Sequence, residues 1–127
     1  MELNERMKLA GNALQRLKEI AEKENLSDIE RDGMIRRFEF TFDILWKCGK
    51  DYLARYEEIE VLSPKKVIRL FREIGMFTDE ETENLLEAAN DRNLTSHTYN
   101  EDLIKKIAER IPAYEKLFTE WFNRMNT

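Results

Sequence analysis

From about Ile29 to Glu57 the chain sets Ile35, Phe38, Phe42, Leu45, Trp46 and Leu53 at helical steps, with Tyr52 beside them. Such spacing draws one stripe along an α-helix; a strand would instead ask for a period of two. The same rhythm recurs on both sides. Leu3, Met7, Ala10, Leu14, Leu17 and Ala21 mark a first helix over about 3–24, leaving Arg6, Lys8, Lys18 and Glu22 for solvent. Asn25-Leu26-Ser27-Asp28 breaks the pattern, with Ser27 or Asp28 as the next N-cap. Four glycines and two prolines in 127 residues leave few places for hairpins. The expectation is all-α: an up-and-down bundle of four or five helices, with 1–127 as one domain.

The remaining boundaries are also written locally. Ser63-Pro64 places a capping residue before a proline at the first helical position, and Gly75 closes the helix whose inward side is Val67, Ile68, Phe71 and Ile74. Lys65, Lys66, Arg69 and Arg72 take the other side, either as an ordinary solvated face or as a rim that tracks phosphates. Thr78 and Glu81 have the form of a capping box for a fourth helix carrying Leu85, Leu86 and Ala89. A last helix follows Asn100 and runs to about Arg124 on Leu103, Ile104, Ile107, Ile111, Tyr114, Leu117, Phe118, Trp121 and Phe122. Pro112 falls inside it and should kink it. The aromatic stripe of the second helix has two readings, a filled core or a surface partly set against another subunit.

Composition narrows the function classes. Charged residues are 37% and hydrophobic ones 42%, a mixture for solvated amphipathic helices and not for disorder. Cys48 stands alone, so no intrachain disulfide is possible and a reducing cytoplasm is the expected location. No apolar run has the length of a membrane span, and no signal-peptide core opens the chain. One His and one Cys argue against a zinc site, and neither metal nor cofactor is expected. The net charge of −5 opposes broad nucleic-acid binding, yet residues 31–72 hold ten Lys/Arg against seven Asp/Glu. Residues 73–127 hold six against twelve. A cationic cleft on an acidic protein is compatible with these figures.

The unusual chemistry is concentrated in Asp91-Arg92-Asn93-Leu94-Thr95-Ser96-His97-Thr98-Tyr99. His97 is the only histidine, hence the only side chain with an ordinary pKa near neutrality. On a continuous helix Arg92 and His97 would point about 140° apart. They converge only if the helix ends within the motif, or if a second copy of the chain supplies the other half. Asn93 is a candidate helix-ending residue, and Thr95, Ser96 and Asn100 favour caps and turns. Taken singly, His97 could cap a helix, Arg92 could answer a helix dipole and Tyr99 could sit in the core with its hydroxyl at the rim. Taken together they suit metal-free phosphodiester chemistry. The imidazole would move a proton at a ribose 2′-hydroxyl or a leaving group, the guanidinium would meet the charge developing on phosphorus, and Asn93 would position the phosphate. One histidine cannot be acid and base in a concerted step; a two-fold dimer would supply the second.

Arg92-Asn93-Leu94-Thr95-Ser96-His97 has the Arg-x4-His form of HEPN domains, and Tyr99 extends it to the Arg-x4-His-x-Tyr form of HepT-like toxins. Two further stretches, Arg37-Phe38-Glu39-Phe40-Thr41-Phe42-Asp43-Ile44-Leu45-Trp46-Lys47 and Ser63-Pro64-Lys65-Lys66-Val67-Ile68-Arg69, resemble nucleotidyltransferase substrate-binding proteins. The resemblance covers roughly residues 30–100 in the family's order. It departs at Asp43, where Glu would be expected, and it leaves Glu39 either as partner to an arginine or as a cleft residue. The resemblance implies a homodimer with two motifs in a shared cleft, and an MNT-type nucleotidyltransferase as partner in a type VII toxin–antitoxin pair. It implies that the toxin is a metal-independent ribonuclease, with Arg92 and His97 catalytic, Asn93 auxiliary and Tyr99 the AMP acceptor through which the transferase silences it. The alternative it carries is a non-catalytic substrate-binding subunit of a two-component nucleotidyltransferase.

Overall fold

The computed structural model describes residues 2–127, and among these there are five helices and no strand. They are α1 (Leu3–Ala21), α2 (Asp28–Tyr56), α3 (Pro64–Glu73), α4 (Asp79–Thr95) and α5 (Glu101–Met125). The all-α up-and-down bundle expected from the periodicity is the fold that forms. α1, α2 and α5 pack on one another, while α3 rests on α2 and α4, and α4 on α2 and α5.

The boundaries follow from capping chemistry. α1 stops at Ala21, short of the expected 24, and Asn25 takes the left-handed backbone at φ 55° that turns the chain. Ser27 is the N-cap of α2: its hydroxyl accepts from the Glu30 N–H and the Glu30 carboxylate accepts from the Ser27 N–H. Gly75, at φ 84°, closes α3 as a Schellman turn, with Met76 N–H on Phe71 O and Gly75 N–H on Arg72 O, each 2.9 Å. Thr78 and Glu81 form the capping box expected of them. Asn100 caps α5 by accepting from the Leu103 N–H, and α5 is unbroken through Pro112.

The α2 stripe is core. Phe38, Phe42, Leu45 and Leu53 are buried, and Phe38 stacks on Tyr114 and Phe118 of α5 at ring centroid distances of 5.6 and 5.9 Å. Phe71, Phe77 and Trp121 form a second aromatic group that joins α3 to α5. Truncating one of the fully buried members, such as Leu45, would cost about 2–5 kcal/mol in lost contacts and residual cavity. Most of the stripe is therefore used up inside the chain, Trp46 and Tyr52 are only partly buried against it, and the large aromatics of α2 left exposed are Phe40 and Tyr56. Arg6, read from the sequence as a solvent residue, instead lies 3.1 Å from Asp51 on α2.

Candidate functional site

Two ion networks fix the end of α4. Asp91, almost fully buried, faces α5: Arg110 grips it with two hydrogen bonds of 2.9 Å, and the Tyr114 hydroxyl donates to it at 2.5 Å. Burial and this carboxylate together push the Tyr114 phenol well above its usual range, so it stays a protonated donor. Arg92, one residue and about 100° further round the helix, faces α2. Its Nε and Nη2 donate to the two oxygens of Asp43 at 3.1 and 2.9 Å, and its Nη1 donates to Glu39 at 3.4 Å and to Ser96. The hydrogen-bonded Asp43, with Glu39 adding to it, holds the guanidinium more firmly protonated than usual. Glu39 Oε2 also accepts from the hydroxyls of Thr95 and Ser96 at 2.8 and 3.1 Å.

Asn93 does not end the helix. α4 continues to Thr95, and Ser96 is the C-cap. The reason lies in the network just described: with Arg92, Thr95 and Ser96 all tied to Glu39, the last turn is held in register past Asn93. The chain then turns, His97 and Thr98 both donating their N–H to Leu94 O at 3.1 and 3.0 Å. The motif thus straddles a helix end, one of the two arrangements the 140° step left open, and Arg92 and His97 come to line one cavity of about 620 Å³. Asn93 and Ser96 line it too, and the opposite walls are Phe42 and Asp43 of α2 and Ser63, Pro64 and Lys65 at the start of α3. His97 and Asn93 are exposed, whereas Arg92 is partly buried. Tyr99 stands outside the cavity lining and is fully exposed, which removes the reading of it as a core residue.

The donor count of Arg92 limits what it can do. A guanidinium has five N–H donors, and four are directed to Asp43, Glu39 and Ser96. One on Nη2 remains for an incoming oxyanion. No group of three or more His, Cys, Asp or Glu among the described residues is arranged to hold a metal. Cys48 is buried, and burial raises its thiol to about 12, so it offers neither a nucleophile nor a ligand.

The family model described as nucleotidyltransferase substrate binding protein like matches residues 5–127. The chain belongs to that family. The resemblance stated from the motif and the two flanking stretches is therefore the right one. The structure is similar to a crystal structure of a protein from Thermus thermophilus, with a TM-score of 0.90 and 46% identity over 93% of this chain and 99% of that one. No curated protein matches the chain. Within this nucleotidyltransferase substrate-binding fold the three stretches that carried the resemblance converge. The FEFTFDILWK helix supplies Glu39 and Asp43 to Arg92, and Ser63, Pro64 and Lys65 of the third stretch line the cavity together with His97. Glu39 had two readings from sequence and turns out to be the partner of the motif arginine. Asp43 fills its place by reaching Arg92 with both oxygens, so the shorter side chain is accommodated. Ser63 and Pro64 were legible in the sequence as a capping pattern and as part of the resembling stretch, but no local signal placed them in the cavity wall. None of the described helices is long and apolar enough to cross a membrane.

Proposed function

We propose that this chain is a HepT-like toxin of a type VII HEPN/MNT pair: a dimeric, metal-independent endoribonuclease silenced by AMP placed on Tyr99. The observation that carries the reading is the shared cavity. Arg92 and His97, which a continuous helix would direct apart, border one open space with Asn93 and Lys65. His97 takes the proton of a ribose 2′-hydroxyl as that oxygen attacks phosphorus. The bond from phosphorus to the 5′-oxygen breaks, leaving a 2′,3′-cyclic phosphate on one fragment, and the 5′-oxygen is protonated by the second His97 of the dimer. Lys65 and the positive end of the α3 dipole favour a phosphate in the cavity, and the free N–H of Arg92 meets the charge that develops on it. Full exposure leaves Tyr99 accessible to a transferase. An adenylate two residues from His97 adds a bulky anion beside the cation of the site, which obstructs the cleft and competes for Arg92.

One observation favours the other reading, a non-catalytic subunit that presents substrate to a nucleotidyltransferase. Arg92 is almost saturated by its own carboxylates, as a structural arginine would be, and the family description fits this role equally well. The two readings part on a simple experiment. Purified chain should cut single-stranded RNA, and His97→Ala should lower the rate at least 100-fold or so without changing its mass in solution. With an MNT-type transferase and ATP, each AMP should add roughly 329 Da to the intact mass, and Tyr99→Phe should abolish the addition. Wild-type chain that forms a complex with an active transferase yet neither cuts RNA nor gains mass would establish the binding subunit instead.

A further inference from the structure

A second cavity, of about 660 Å³, opens between α1 and α2 and meets the first at Arg92 and Asp43, which line both. α2 borders it from Gly33 to Asp43, a run of about 15 Å at the helical rise. Four arginines, Arg16, Arg36, Arg37 and Arg92, line it against two carboxylates, Glu39 and Asp43. Both carboxylates are engaged with Arg92. Arg37 is engaged as well, donating to Arg16 O at 2.7 Å and lying 3.8 Å from Glu19. Among the described residues Arg16 and Arg36 have no salt-bridge partner, and both are exposed. Phe40, one turn beyond Arg36 on α2, lines the same cavity and is 59% exposed, on a helix whose neighbouring Phe38 and Phe42 are core. An added Cβ at Gly33 would meet nothing within 4 Å, so the groove floor is open there.

On a protein of net charge −5, two unpaired arginines and a bare aromatic ring in one groove define a specific chemistry. The cations suit phosphates, and the ring offers a face on which any base can stack. A second copy seated across a two-fold axis through this groove would bring the unpaired Arg16 and Arg36 of both copies into one interface, a like-charge arrangement. A single nucleic-acid strand meets no such opposition. We propose that this groove carries the single-stranded RNA flanking the bond cut beside His97, with backbone phosphates on Arg16 and Arg36 and one base on Phe40. The proposal rests on the ribonuclease reading for its substrate, and its test separates the two.

The probe is a fluorescein-labelled 2′-O-methyl oligouridine of about a dozen nucleotides, which keeps phosphates and bases but has no free 2′-hydroxyl to attack. Anisotropy titrations of wild type, Arg16→Ala/Arg36→Ala and Phe40→Ala are run over a range of salt, with light scattering on each protein. The double variant should bind more weakly, and its slope of log affinity against log salt should be shallower by about 1.4, two phosphate contacts on a single strand. Phe40→Ala should bind roughly 5- to 100-fold more weakly with the slope kept. Unchanged affinity and slope in both variants overturn the groove assignment. So does a change of oligomeric mass in any of them, because the face would then seat a second copy. Wild type that binds the probe through these residues but leaves ordinary oligouridine uncut defeats the ribonuclease reading alone, and the groove stands as a nucleic-acid site of the binding subunit.

Discussion

Arg92 gives most of its hydrogen-bonding capacity to its own chain, and that makes it a structural joint whatever else it does. Its planar fork matches the two oxygens of Asp43, a geometry that an ammonium group cannot reproduce. Arg92→Lys keeps the charge and loses the fork, and should lower stability by about 1–2 kcal/mol, read as a fall in the urea midpoint with an unchanged slope. A drop beyond that would indicate that the joint holds up the whole end of α4. No measurable drop would mean that Glu39, Thr95 and Ser96 suffice. The sequence names Arg92 as a motif residue but says nothing of its partners, because Asp43 and Glu39 lie 49 and 53 positions away. Only packing brings them within reach.

At the scale of the helix, α2 contains two glycines with opposite meanings. Gly33 is exposed, and a Cβ there would meet nothing within 4 Å. Gly33→Ala removes backbone freedom from the unfolded chain without a steric cost, and should raise stability by about 0.5–1 kcal/mol. Gly49 is a point of close approach. A Cβ would lie 2.8 Å from Trp121 Cζ2, 2.8 Å from Val67 Cγ1 and 3.1 Å from Phe71 Cε2, three core side chains with little room to yield. Gly49→Ala should therefore lose about 1–3 kcal/mol despite the better helix former. Melting temperatures of the two variants, one up and one down, would check both statements together. Helix propensity alone treats the two positions alike; the difference arises from what α3 and α5 place against α2.

Across the whole molecule, Glu81 ties the start of α4 to the end of α5. It accepts two hydrogen bonds from Arg124, at 2.9 and 2.7 Å, while closing the capping box with Thr78. The Arg124 guanidinium, aided by the Thr78 amide and opposed by partial burial, lowers its carboxyl from 4.5 to about 2. A carboxyl depressed in the folded state stabilises fully above its unfolded pKa, and that contribution is lost as the pH falls from about 4.5 through about 2. Glu81→Gln should be less stable than wild type at neutral pH by about 1–2 kcal/mol, and the gap should close by about pH 2. Urea midpoints measured from neutral pH down to that value give both curves, and parallel curves would rule out this linkage.

The amino-acid sequence by itself determined the helices, because period, caps and breakers are local chemistry: Ser63-Pro64, Gly75, the Thr78–Glu81 box and Asn100 all mark boundaries where the chain obeys them. It also identified the family, through three stretches far apart in the chain. Two boundaries escaped it. Asn93 was overridden by the ties of Thr95 and Ser96 to Glu39, and α1 ended early at Ala21. Tertiary structure alone decided what the motif faces. Whether Arg92 meets a carboxylate or a phosphate, whether Phe40 is core or surface, and whether Arg16 and Arg36 are answered by an acid all depend on residues tens of positions apart. Such distances are set by how helices pack, and no local rule encodes them.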